Sequence, residues 1–289
     1  MHKPIRKLFL VVIIAGTLSG ASALAPSPAQ AYHTYQARLL DSTAYSLPRR
    51  NFRLGLFKLS YGIFDQLQVT TYTAPWLLGA IFQDVAPNLE LKSTFYNHNR
   101  LALSASFAFI TGTIEQVSGV EATTVRYYLF PVSVASSVRI NQWASTHLGF
   151  IYTGVTGEAN SSPGTTDIEG AAVVDVLQLW AMAEWRLSRV VAFTFTVRWV
   201  PWVSDTIVRG RLTGDESNPD IGVGIEIEFI DLTNAFAVIP GFVFSWKRAN
   251  IKLGVGYGDL FVESLGFPLV VPGSLLSNIA PEFDIFVRF

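Results

Sequence analysis

Half of the 289 residues are hydrophobic. Past the N-terminus, however, apolar residues never run together for the roughly 18 positions that a membrane-crossing helix needs. They recur instead at every second position. In 190–200, Val191, Phe193, Phe195, Val197 and Trp199 alternate with Ala192, Thr194, Thr196 and Arg198. In 101–109, Leu101, Leu103, Ala105, Phe107 and Phe109 alternate with Ala102, Ser104, Ser106 and Ala108. The segments 221–229 and 251–258 repeat the pattern, with Gly222, Gly224, Glu226 and Glu228, and Lys252, Gly254, Gly256 and Gly258, on the second face. Successive side chains of a strand point to opposite faces, so each segment has one apolar and one small or charged face. A helix would need its apolar residues three and four apart, which Ile221, Val223, Ile225 and Ile227 do not provide.

Charged residues make up 15% of the chain, against about 25% in an ordinary soluble domain. A soluble sandwich or barrel would place its polar face outward. In lipid every backbone polar group must be satisfied within the protein, so only helices and closed barrels cross. The pattern therefore predicts an all-β, antiparallel up-and-down transmembrane β-barrel, apolar outside and polar within.

Further strands are expected at 52–60, 66–74, 88–96, 123–140, 144–154, 171–187, 235–247 and 281–289. Short links fall at Gly62–Asp65, Asn97–Arg100, Asn141–Trp143, Leu187–Arg189 and Arg248–Asn250, and long ones at about 75–87, 112–122, 155–170, 201–219 and 259–280. Short and long links alternate, as in barrels with short turns at one end and long loops at the other. The apolar phase slips near Pro131, where a bulge or an edge is expected. It also flips between Phe229 and Phe236, which places a turn at Asp231–Asn234. About twelve strands result, with ten and fourteen as alternatives. An extra strand within 33–47 is the other route to twelve. Tyr127, Tyr128, Tyr152, Trp180, Trp185, Trp199, Trp202 and Trp246 are candidates for aromatic girdles.

Residues 1–31 form an expected signal peptide, with 32–289 as the barrel domain. Lys3, Arg6 and Lys7 precede the short apolar run Leu8–Gly16, and the small-residue sites Ala21-Ser22-Ala23 and Ala29-Gln30-Ala31 follow. Cleavage is expected after Ala31, with Ala23 as the alternative. There is no cysteine, which excludes a disulfide framework and thiolate chemistry.

The last nine residues, Pro281-Glu282-Phe283-Asp284-Ile285-Phe286-Val287-Arg288-Phe289, put Phe283, Ile285, Val287 and Phe289 on one face and end on Phe289. This resembles the terminal strand of bacterial outer-membrane β-barrel proteins. The resemblance implies that these four residues are read by the barrel-assembly machinery, and that the chain resides in the outer membrane among its lipids. Phe286 departs from the pattern as an aromatic on the other face. Leu59–Leu67 also resembles a hairpin found in such barrels.

The net charge is −1, without a basic patch that would argue for nucleic acid. His33, His98 and His147 are scattered along the expected barrel domain. No metal-ligand spacing, nucleophile elbow or phosphate-binding glycine loop occurs, so no cofactor, metal or catalytic residue is expected. Ser145 and His147 share a strand face. The family of outer-membrane phospholipases pairs Ser and His on strands, but in the reverse order, and no orienting residue can be named here. The acidic stretch Gly214–Asp220 reads as a solvated turn, with Ca²⁺ binding as the alternative. Strand phase aims Glu90, Lys92, Arg139, His147, Glu184, Arg186, Arg198, Glu226, Glu228, Lys252, Asp284 and Arg288 at the lumen. These charges either pair and close it or line a water-filled path. The leading expectation is a passive, porin-like channel or small-solute transporter of weak charge selectivity. The alternatives are a structural or adhesive barrel with a plugged lumen, and a lipid-modifying enzyme. The solute and the oligomeric state are left open.

Overall fold

The computed structural model describes residues 40, 42–73, 75–76, 87–118, 121–161, 167–204, 207–213, 234–246, 248–258, 261–262, 269–270 and 279–289. The strands are β1 (Phe52–Gly55), β2 (Lys58–Phe64), β3 (Leu67–Tyr72), β4 (Asn88–His98), β5 (Leu101–Ser118), β6 (Glu121–Arg139), β7 (Ala144–Ser161) and β8 (Asp167–Arg186). Then come β9 (Val191–Val203), β10 (Ile207–Thr213), β11 (Phe236–Ser245), β12 (Ala249–Gly258), β13 (Phe261–Val262), β14 (Leu269–Val270) and β15 (Ile279–Arg288).

Each strand from β1 to β9 pairs antiparallel with the next, β9 pairs with β11, β11 with β12, β12 with β15, and β15 with β1. The sheet therefore closes on itself with twelve staves. β10 is not a further stave. It runs along the far part of β8, from Ile207↔Val173 to Thr213↔Asp167, while β9 covers the near part. β13 and β14 pair only with each other.

The count of twelve agrees with the sequence, but its members differ. The stretch 52–60 is not one strand. The chain bends at Leu56–Phe57, and β1 and β2 form a tight hairpin with Leu54 opposite Leu59. Segment 221–229 lies outside the described residues, and the ring closes without it because β9 and β11 are direct neighbours. Residues 42–48 form no strand. The links expected at 112–122 and 155–170 are largely strand, since β5 to β8 run for 18 to 20 residues. β1 to β3 have only four to seven.

At Pro131 there is neither bulge nor edge. Phe107↔Val132 and Ile110↔Leu129 keep one register on both sides, and the missing N–H of proline interrupts the ladder only locally. Just before β11, Asn234 takes a left-handed conformation (φ 67°), which asparagine tolerates better than most residues. The Leu59–Leu67 hairpin is present as β2, the turn Asp65–Gln66 and β3.

Period two governs exposure. Leu89, Leu91, Phe107, Phe150, Leu179, Phe195, Leu253, Val255 and Phe283 are exposed on the outer face, while Ser104, His147, Glu184, Thr196, Arg198 and Lys252 are buried within. The turns β2–β3, β4–β5, β6–β7, β8–β9 and β11–β12 share the end at which Phe289 lies beside Phe52. A row of rings crosses three staves near this end: Trp185 stacks on Phe193 at 5.8 Å, Phe193 meets Phe242 at 5.4 Å, and Phe244 stacks on Trp246 at 6.5 Å. Trp180 departs from the girdle expectation. It points inward and is buried.

Candidate functional site

The bore is occupied by the chain's own N-terminal flank. From Asn51 the backbone passes over Gly62 and enters the barrel, and Leu40, Thr43, Ala44, Ser46 and Leu47 are all buried there. Only a glycine permits this entry. A Cβ on Gly62 would stand 2.7 Å from the Leu47 carbonyl oxygen and 2.9 Å from the Pro48 carbonyl carbon. No strand of the wall pairs with the segment 42–48, and apart from the Thr43 N–H bond to the Leu40 carbonyl and the Asn51 N–H bond to the Pro48 carbonyl, the bonds that hold it involve side chains. The Ala44 N–H donates to Ser137 Oγ at 2.7 Å, and Thr94 Oγ1 donates to the Ala44 carbonyl at 2.7 Å. The Leu47 N–H donates to Gln68 Oε1 at 2.9 Å, and Lys92 Nζ donates to the Thr43 carbonyl at 2.6 Å. Leu40 and Ala44 pack with Ala102, Ala135, Trp180, Met182 and Val243. Gly149 makes room for this by accepting the Trp180 indole, whose Cζ2 lies 2.6 Å from where a Cβ would stand.

Beneath Ala44 lies a polar cluster. Ser137 Oγ shares a 2.7 Å hydrogen bond with His147 Nδ1, and His147 Nε2 stands 3.5 Å from Glu184 Oε2. The imidazole thus meets the serine of the neighbouring strand β6. Ser137 and His147 are each 1% exposed, so the cluster anchors the stopper and is sealed by it.

The inward charges fall into separate groups. On β1, β12 and β15, Arg53 Nη2 binds Asp284 Oδ2 at 2.6 Å and stacks 4.0 Å over the Phe286 ring. Lys252 Nζ binds Glu282 Oε1 at 2.9 Å, and Arg288 Nη2 donates to Asn250 Oδ1 at 3.1 Å. Across staves β2 to β9, Glu90, Lys92 and Arg198 line an open chamber beside the stopper, together with Lys58, Tyr72, Gln178, Trp180 and four serines. Ser42 and Thr43 of the stopper belong to its lining. Glu90 Oε2 accepts the Tyr72 hydroxyl proton at 2.7 Å. Arg139 and Arg186 are half-buried near the short-turn end, where Arg186 lies 5.6 Å over Trp143. Phe283, Ile285 and Phe289 are exposed on the outer face and Val287 is half-buried.

Glu226, Glu228, the stretch Gly214–Asp220 and residues 1–31 lie outside the described residues. Among the described residues no group of His, Asp and Glu could hold a metal ion. Sequence reasoning does not single out Arg53, Glu282, Gln178 or the stopper. Arg53 and Glu282 sit on the polar phase of their strands, so alternation could have found them. The stopper has no period to betray it.

No protein-family model and no curated protein matches the sequence. Solved structures similar to the chain include CdiB from Escherichia coli, at 8% identity and a TM-score of 0.33. The match covers 84% of this chain and 64% of that one, so the chain spans less than two thirds of its length. At that distance the resemblance carries no functional information.

Proposed function

We propose that the chain is a bacterial outer-membrane barrel and a conduit for small solutes, held closed by its own residues 42–48. An outer face carrying Leu91, Phe107, Phe150, Leu253 and Phe283 suits a hydrocarbon surround and no aqueous one. The terminal strand ending on Phe289 suits recognition by the barrel-assembly machinery. One observation carries the transport reading: the bore is filled by a segment that pairs with no strand of the wall, and not by the wall itself. Four of the stopper's bonds to the wall, at Thr43, Ala44 (two) and Leu47, join a backbone group to a side chain, each worth about 0.5–1.5 kcal/mol net. Removing it leaves a polar bore in a barrel of twelve strands, between the side-chain-filled and the water-filled sizes.

Planar-bilayer recording tests this reading. The full chain is expected to conduct rarely, and a variant lacking residues 40–47 to show steady unitary currents. A deletion variant that folds, keeps its heat-resistant gel mobility and still passes no current would overturn it. The second reading, a structural barrel acting through its loops, is favoured by the ion-paired wall of β1, β12 and β15. It predicts that same silent deletion. The burial of Ser137 and His147 beneath the stopper speaks against a catalytic role for either.

A further inference from the structure

We propose that the chamber beside the stopper binds a small neutral solute bearing adjacent hydroxyls, a sugar or a polyol. Gln178 is the first observation. It is 1% exposed, lines the chamber, and neither its amide nitrogen nor its amide oxygen has a hydrogen-bond partner among the described residues. A buried amide left unsatisfied is costly, and such groups mark places where a ligand or water completes the bonding. The amide offers a donor and an acceptor side by side. An ionised carboxylate only accepts, and would leave the amide oxygen bare. A hydroxyl both donates and accepts, so two adjacent hydroxyls complete Gln178 at both atoms.

The second observation is the register of the wall. Gln178 stands opposite Ile151, Ile151 opposite Ser133, and Ser133 opposite Ser106. These four residues of β8, β7, β6 and β5 make one row, and all of them line the chamber. Ser106 Oγ and Ser133 Oγ share a 2.8 Å hydrogen bond. Two hydroxyls joined by one bond spend one of their two protons, and neither serine has a further side-chain bond among the described residues. The pair therefore has a proton left to donate. Neighbouring strands lie about 4.8 Å apart, so about 10 Å of wall separates the amide from the nearer serine. Only the apolar Ile151 stands between them. A ring sugar, hydrogen-bonded at either end and turning C–H groups toward Ile151, spans such a gap. Gln178 also sits where the β8–β9 register shifts, between Leu177 and Leu179. Bulges of this kind re-aim side chains next to functional sites.

This inference deepens the conduit reading by naming its solute class, and rests on that reading only for the solute's passage. Binding can therefore be measured without transport. The full-length protein, refolded in an amine-oxide detergent that carries no sugar, is titrated calorimetrically with glucose, cyclohexanol, acetamide and inorganic phosphate. Saturable binding of glucose is expected, at least tenfold tighter than that of the other three. Gln178→Leu is expected to weaken it at least tenfold. The same change removes an unsatisfied buried amide, so the urea midpoint of the sugar-free protein should hold or rise, whereas loss of an amide that held the fold would lower it. Ser106→Ala is expected to weaken glucose binding about threefold, the worth of one neutral hydrogen bond. Arg139→Gln, outside the chamber lining, should leave it unchanged. The proposal would be overturned by no saturable glucose binding, or by equal binding of cyclohexanol, acetamide or phosphate. Undiminished binding in either chamber variant, or a Gln178→Leu barrel that is destabilised or fails to fold, would overturn it too. A barrel that binds glucose yet conducts nothing after stopper deletion would overturn the conduit reading alone.

Discussion

On the β1, β12 and β15 side of the bore, basic side chains meet acidic ones on the next strand, Arg53 with Asp284 and Lys252 with Glu282. Around the rest of the bore, Lys92 reaches a carbonyl of the stopper, Lys58 covers a ring, and Arg198 lines the same chamber as Gln178, whose amide has no partner among the described residues. Both regions are polar faces of strands with the same alternation. Their difference is the register of neighbours. Where opposite charges fall within a diagonal step or two, they neutralise each other and the wall needs no ligand. Where the inward side chains surround open space, basic groups reach the stopper and a ring of the wall. A polar inner face is therefore one feature in the sequence and two in the molecule.

The sharpest way to break the contrast is to remove one partner of the closed wall. Asp284→Ala takes away the carboxylate that Arg53 binds in a buried setting and is expected to cost about 3–5 kcal/mol, read from the urea midpoint in lipid vesicles. Replacing both partners, Arg53→Met with Asp284→Leu, should recover most of that loss. Next in size is Gly62→Val, whose side chain would strike the Leu47 and Pro48 carbonyls. A loss of about 1–3 kcal/mol is expected from such overpacking. Unlike Asp284→Ala, it should raise conductance while the barrel stays folded. Ser137→Ala removes the acceptor of the Ala44 N–H and should cost about 1–2 kcal/mol, with brief openings in bilayer recording. The smallest effect on stability is expected from Lys58→Gln, within about 0.5 kcal/mol. It should nevertheless shift the reversal potential of the stopper-deleted barrel toward cations, in a salt gradient. A shift equal to that of Arg139→Gln would erase the distinction between the two regions.

Much of the barrel is legible in the amino-acid sequence alone. The inward phase of Lys92, His147, Glu184, Arg198, Lys252 and Asp284 follows from alternation within single segments, and so does the outward phase of Phe107 and Phe195. Trp180 shows the limit. Its phase is inward as counted from Glu184, yet aromaticity alone suggests a girdle. The bend at Leu56–Phe57 is hidden because Phe57 and Lys58 blur the period. The far parts of β5 and β6 read as a link because their apolar residues lose the clean alternation, although the ladder continues there to Ser118↔Glu121.

By itself the sequence determined the architecture and, within a strand, the face on which a residue lies. The cause is local: a strand turns successive side chains to opposite sides whatever its neighbours are. Only the tertiary structure decided which charges pair, which line a chamber, and that residues 42–48 fill the bore. Arg53 and Asp284 are 231 positions apart, and Ala44 and Ser137 are 93 apart. Such meetings depend on how the sheet closes, and the stopper, which has no ladder to repeat, is held by side chains that converge only after closure.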